Sequence, residues 1–126
     1  MAKVLGFGGM FFKSPDPAAL MAWYQRHLGL DNGGYAVLAP SAMPPGGATV
    51  FAAFKADSDK FAPTTREFMF NLVVDDLEGA LKQVQEGGAT LVDEVVSDEI
   101  GSFGWFMDPD GNKVELWQPK GDAPAA

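Results

Sequence analysis

The chain has no cysteine and a single histidine, His27, in 126 residues. Without cysteine there are no disulfides, no thiolate metal ligands and no cysteine nucleophile, a composition that a reducing compartment tolerates well. With one histidine, histidine-rich metal centres and paired imidazole chemistry are excluded as well. Basic residues are scarce: nine Lys and Arg face 17 Asp and Glu, for a formal net charge of -8. Such a chain is poorly suited to the phosphate backbone of nucleic acid or to an anionic membrane surface, so neither is expected as a partner. The start, "MAKVLGFGGMFFKS", is one lysine followed by a glycine-broken apolar run, too short to span a bilayer and without a cleavage site. It reads as a strand, and a cytoplasmic location is expected. No G-x-S-x-G elbow is present for serine catalysis, and the glycines of "GFGG" do not continue into a phosphate-binding loop.

What is present is a hydrophobic content of 47% and a length suited to one domain with a real core. The first helix is expected in "SPDPAALMAWYQRHLGL". Asp16 is its N-cap, Pro17 its first position, Leu20, Tyr24, His27 and Leu28 its apolar stripe, and Gly29 its stop. Residues 3–12, "GGYAVLAP" and "ATVFAAFKA" read as strands, the last two separated by the loop "SAMPPGG". "DSDKFAPTTRE" reads as a linker. The order then repeats: "EFMFNLVV" as a strand, and "DDLEGALKQVQEGG" as a helix with Leu77, Leu81 and Val84 on one stripe. Strands at 89–96, 102–107 and 113–118 follow, the last two joined by "DPDGN".

Placing Asp16 and Asp76 at equivalent strand-to-helix corners gives an offset of 60 residues (76 − 16), which matches Leu20 to Ala80 and Tyr24 to Val84. The fold expected is therefore α+β: two βαβββ modules whose curved mixed sheets enclose a cavity. Module one covers about 1–57 and module two about 66–119, within a single domain of 1–126 that ends in a loose tail at 120–126.

This pattern resembles the vicinal oxygen chelate superfamily, which includes glyoxalase I, bleomycin-resistance proteins, fosfomycin-resistance enzymes, methylmalonyl-CoA epimerase and extradiol dioxygenases. The resemblance covers nearly the whole chain and is most specific in "DPAAL…WYQRHLGL" and "DPDGNKVELWQP". It implies up to four metal-ligand positions facing the cavity, and in this sequence they fall on Gly9, Phe51, Met69 and Glu115. Only Glu115 offers a suitable donor, so the resemblance implies a degenerate metal site with no cofactor expected. A divalent metal is the alternative. By the same analogy a homodimer is expected.

Three readings of Glu115 remain open on sequence grounds. It is a solvated residue on an edge or half-exposed strand, or a carboxylate in a cavity lined by Met10 or Met69, Phe51, Phe70, Trp105 and Met107, or a metal ligand in another register. The ligand-binding set expected is Glu115, Phe51, Met69, Trp105, Met107 and Trp117, with Glu115 also the candidate catalytic base. The two tryptophans would each present a flat face and one N–H to a planar ligand. His27 is expected to serve the helix C-terminus rather than chemistry. Arg66 and Lys55 either pair with an anionic ligand or remain surface charges. The function expected is that of a glyoxalase/bleomycin-resistance-like protein binding a small apolar or aromatic molecule. The alternative is a metal-dependent lyase, isomerase or dioxygenase using Glu115.

Overall fold

The structure, a computed structural model, describes residues 1–30 and 35–121. The two α-helices among the described residues begin and end where local chemistry selects. Helix α1 (Pro17–Leu28) starts where the Asp16 carboxylate accepts the Ala19 amide at 3.1 Å. It stops at Gly29, whose left-handed φ of 68° turns the chain so that the Leu30 N–H reaches back to the Tyr24 carbonyl at 3.3 Å. Helix α2 (Leu77–Glu86) starts the same way, with Asp76 accepting from Gly79 at 3.0 Å, and the Gln118 side chain takes a further free amide, that of Leu77.

Four strands form one mixed sheet: β1 (Phe70–Val73), β2 (Thr90–Asp98), β3 (Gly101–Met107) and β4 (Lys113–Pro119), ordered β1-β4-β3-β2. Strand β1 runs parallel to β4, while β2-β3 and β3-β4 are antiparallel. The second module is thus the expected β-α-β-β-β unit. Its β3-β4 turn, "DPDGN", is organised by one buried carboxylate. Asp108 Oδ1 accepts the Asp110 and Asn112 amides, both at 2.9 Å, and Oδ2 accepts Asn112 Nδ2 at 2.8 Å and the Tyr24 hydroxyl at 2.7 Å. Gly111 supplies the positive φ, 81°, that closes the turn. The Tyr24 bond spans 84 positions and fastens α1 to module two. Burial, with the Asp108 charge beside it, pushes the Tyr24 phenol well above its ordinary value of 10.0.

Alternation sends Phe70, Phe106, Val114 and Leu116 to the helix side of the sheet, where they pack with Leu20, Tyr24, Leu77, Ala80 and Val84. Both pairs matched by the 60-residue offset, Leu20 with Ala80 and Tyr24 with Val84, lie in this one core. Each large apolar side chain buried there contributes roughly 1.5–3 kcal/mol.

Module one departs from expectation. Its helix forms, but the stretches expected as strands at 3–12 and 48–56 are not strands, and the described part of "GGYAVLAP" carries an isolated β-bridge at Ala36 instead of a strand. Pro40–Ala42 forms a short 3₁₀ turn instead. A strand is stabilised only by a paired neighbour, and among the described residues the stretches at 3–12, broken by Gly6, Gly8 and Gly9, and at 48–56 take part in no strand pairing. Their apolar side chains are left outside: Val4 is 90% exposed, Phe11 94% and Phe51 88%. Gly33 and Gly34 of the expected second strand, and 122–126 of the expected tail, lie outside the described residues.

Candidate functional site

Strand β4 lies inside the sheet, between β1 and β3, which removes the edge-strand reading of Glu115. Its odd-numbered residues face away from the helices. The opposite sense is fixed by Gly104 on β3, where an added Cβ would stand 2.8 Å from Leu81 Cδ1 of α2. Asn71, Phe103, Trp105, Met107, Lys113 and Glu115 therefore share the helix-free face.

Register places Asn71 and Trp105 directly opposite Glu115 on the two neighbouring strands, so the three form one row across the sheet. Both neighbours donate to the carboxylate. Asn71 Nδ2 lies 2.6 Å from Oε1, and Trp105 Nε1 lies 2.9 Å from Oε2. The half-buried carboxylate is held by one neutral donor on each oxygen, and each oxygen keeps accepting capacity.

Two residues earlier on the same face, Lys113 is 3% exposed. Its Nζ donates to Asp93 Oδ2 at 2.8 Å, to the Lys60 carbonyl at 3.0 Å and to the Ala62 carbonyl at 2.8 Å, and it stands 5.9 Å from the centre of the Trp105 ring. Asp93 is available because β2 changes register between Val92 and Val96, with Asp93 itself at a φ of 61°. Lys113 thereby pins residues 60 and 62 of the linker across one end of the face.

The expected site residues separate into groups. Trp105 touches Glu115, and Met107 lies on the same face opposite Lys113. Trp117 shares that face but is only 4% exposed. Its indole N–H donates to the Ile100 carbonyl at 2.9 Å, and its ring stacks on Phe103 with centres 5.9 Å apart. Neither indole N–H is therefore idle: Trp117 spends its own on backbone and Trp105 spends its own on Glu115. Met69, half-buried, precedes β1 by one residue and points with Asn71 by alternation. Gly9 lies on the exposed N-terminal stretch, and Phe51 stands outside near Phe7, ring centres 5.8 Å apart. Phe70, expected on the cavity wall, belongs to the core on the other side of the sheet.

Arg66 donates to the Asp110 carbonyl at 3.3 Å, while the Thr64 hydroxyl donates to the Gly111 carbonyl at 2.6 Å, so this part of the linker clasps the β3-β4 turn. Lys55 is exposed. His27 sits in the last turn of α1, packs 5.2 Å from the Trp23 ring, and lends its carbonyl to Gln83 Nε2 at 2.9 Å, a helix-to-helix contact.

Asn71 and Asp93 were missed from sequence, and Lys113 was given no role there. Asn71 had a signal, being the one amide in the apolar run "FMFNLVV". Asp93 had none, since its position depends on a bulge. Among the described residues no group of three or more His, Asp or Glu is arranged to hold a metal ion. A groove of about 600 Å³ lies on the helix side, between α2 and β2, with Leu77, Leu81, Leu91 and Val95 among its walls.

Comparison with solved structures gives a structure from the mobile metagenome of V. Pseudocholerae, 16% identical over 94% of this chain and 97% of that one, TM-score 0.54, a likeness of fold. A member of the glyoxalase/bleomycin resistance protein/dioxygenase superfamily from Sphaerobacter thermophilus is 30% identical over 39% of this chain and 40% of that one, TM-score 0.35. A hypothetical protein from S. aureus is 25% identical over 42% and 43%, TM-score 0.37. The matches to these last two span about two fifths of each structure's length. No curated protein matches. The family model described as the glyoxalase-like domain matches residues 9–117, nearly the whole chain, and the protein belongs to that family.

Proposed function

We propose that the protein binds a small apolar or aromatic molecule on the helix-free face of its sheet, with Glu115 as the polar anchor and no resident metal ion. The observation that carries this reading is the pair of bonds from Asn71 and Trp105, one to each carboxylate oxygen. Placing a carboxylate in a central strand costs hydration, and a merely solvated glutamate would sweep through rotamers rather than be held at both oxygens. Holding it still, beside Trp105 and Met107, is what a binding site requires: a few fixed polar groups within an apolar surround.

The family's metal does not fit these residues. Gly9 has no side chain, Phe51 no lone pair and Met69 only a thioether, which leaves Glu115 as a single carboxylate donor, too few to hold a divalent ion against water. Ligand-observed NMR with planar aromatic fragments tests the reading. Binding should weaken about 10-fold or more in Glu115→Ala, the loss of one hydrogen bond to a charged group. Metal analysis of protein purified without chelator should find no stoichiometric Ni, Zn, Mn or Fe. A full equivalent would overturn the reading in favour of a metal-dependent lyase, isomerase or dioxygenase.

We also assign a second copy of the chain to the exposed apolar stretches of module one. Support comes from Val4, Leu5, Phe11, Val50 and Phe51, each at least 76% exposed, together with the outer edge of β1, which no strand of the described chain occupies. A cytoplasmic location rests on the cysteine-free composition. Among the described residues no helix is long and apolar enough to cross a membrane.

A further inference from the structure

We infer that the ligand class is an organic cation, an aromatic compound bearing a protonated amine or amidine, and not an anion or a neutral isostere. The inference rests on the binding site proposed above and turns on the charge of that site. Glu115 is held by an amide and an indole, both neutral, so the hydrogen bonds fix its position without cancelling its charge. The single ion pair among the described residues joins Lys113 to Asp93. Lys113 is the cation nearest in sequence on this face, and its three protons meet three acceptors, Asp93 and the carbonyls of residues 60 and 62. It has no donor left for a ligand, and its charge is matched by Asp93. Of the two basic residues of the linker, Arg66 is turned to the Asp110 carbonyl and Lys60 is exposed.

An anion brought to Glu115 would meet a carboxylate, with the remaining N–H of the neutral Asn71 amide as the donor beside it. A neutral hydroxyl would gain one ordinary hydrogen bond. An ammonium group would gain a charge-assisted bond to a positioned oxygen, and the attached ring would lie against Trp105 and Met107. The net charge of -8 adds a long-range pull of the same sign.

The test is calorimetric titration of the whole protein with 2-phenylethylamine, 2-phenylethanol and phenylacetate, which share a ring and differ in the charge of the polar end. The amine should bind about 10-fold or more tighter than the alcohol, and phenylacetate more weakly than both. In Glu115→Gln, which keeps an acceptor oxygen and the shape, the amine should fall to the affinity of the alcohol. If that variant fails to fold, the salt dependence of the wild type decides. Amine affinity should drop between about 50 mM and about 500 mM NaCl while alcohol affinity stays level. Equal affinities for amine and alcohol, or an amine preference that survives Glu115→Gln, would overturn the cation assignment and leave the binding site standing. Failure of all three compounds, and of neutral aromatic fragments, would overturn the site and the assignment together.

Discussion

Lys113 and Glu115 stand two residues apart on one strand and one face, and they are satisfied in opposite ways. Lys113 is enclosed and fully paired; Glu115 is held by neutral groups and stays half open. Replacing Lys113 by Met leaves two carbonyls and Asp93 without their donor, and because Asp93 is 57% exposed, water recovers that share. The expected loss is about 1–3 kcal/mol, with faster amide exchange in the 60–62 segment, read by urea unfolding and hydrogen exchange. Tyr24 gives a pH signature. Its folded-state value lies above the unfolded one, so its contribution is complete below about pH 10 and is lost as pH rises beyond it. Wild-type stability should fall by up to about 1.4 kcal/mol per pH unit above that point, and Tyr24→Phe should remove that component of the slope while costing about 1–3 kcal/mol at neutral pH. An unchanged slope in the variant would show that the hydroxyl is not buried against Asp108.

The helices are the elements most simply determined by nearby residues. Asp16 and Asp76 each cap a helix through the amide three residues on. Asp76→Ala should cost about 1 kcal/mol, measurable as a lower urea midpoint at unchanged slope. This locality is why the caps, the Gly29 stop and the "DPDGN" turn could be read from sequence: every group that decides them lies within a few residues. Strands differ in kind. Residues 113–118 alternate as clearly as any in the chain and form β4, whereas "ATVFAAF" has similar content and pairs with nothing, because pairing depends on a distant edge. The same dependence governs the site. Period-two alternation sets Glu115 opposite in sense to Val114 and Leu116, but which face meets the helices is decided by packing of α2 against Gly104. The partnership of Glu115 with Asn71 needed the β1-β4 register, which sets Asn71 opposite Glu115 two residues beyond Met69.

At the scale of the molecule, one module is a complete sheet with a core and the other is a docked helix with unpaired apolar stretches. The 60-residue repeat was readable because both helices contribute the same stripe to one core; what covers residues 3–12 and 48–56 was not, because no local signal encodes a partner. If a second copy covers them, light scattering should give twice the 13.4 kDa chain mass, and Leu5→Asp, at a position 88% exposed, should shift the protein toward the monomer. A monomer at high micromolar concentration would remove that assignment. The account as a whole stands on the row Asn71, Glu115, Trp105. The most direct measurement is the indole N–H spectrum of ¹⁵N-labelled protein, with Trp105 assigned by its Phe variant. The Trp105 signal should lie downfield as a donor to a carboxylate, move in Glu115→Gln, and move again when an aromatic amine is added to the wild type. A Trp105 signal indifferent to both changes would contradict it.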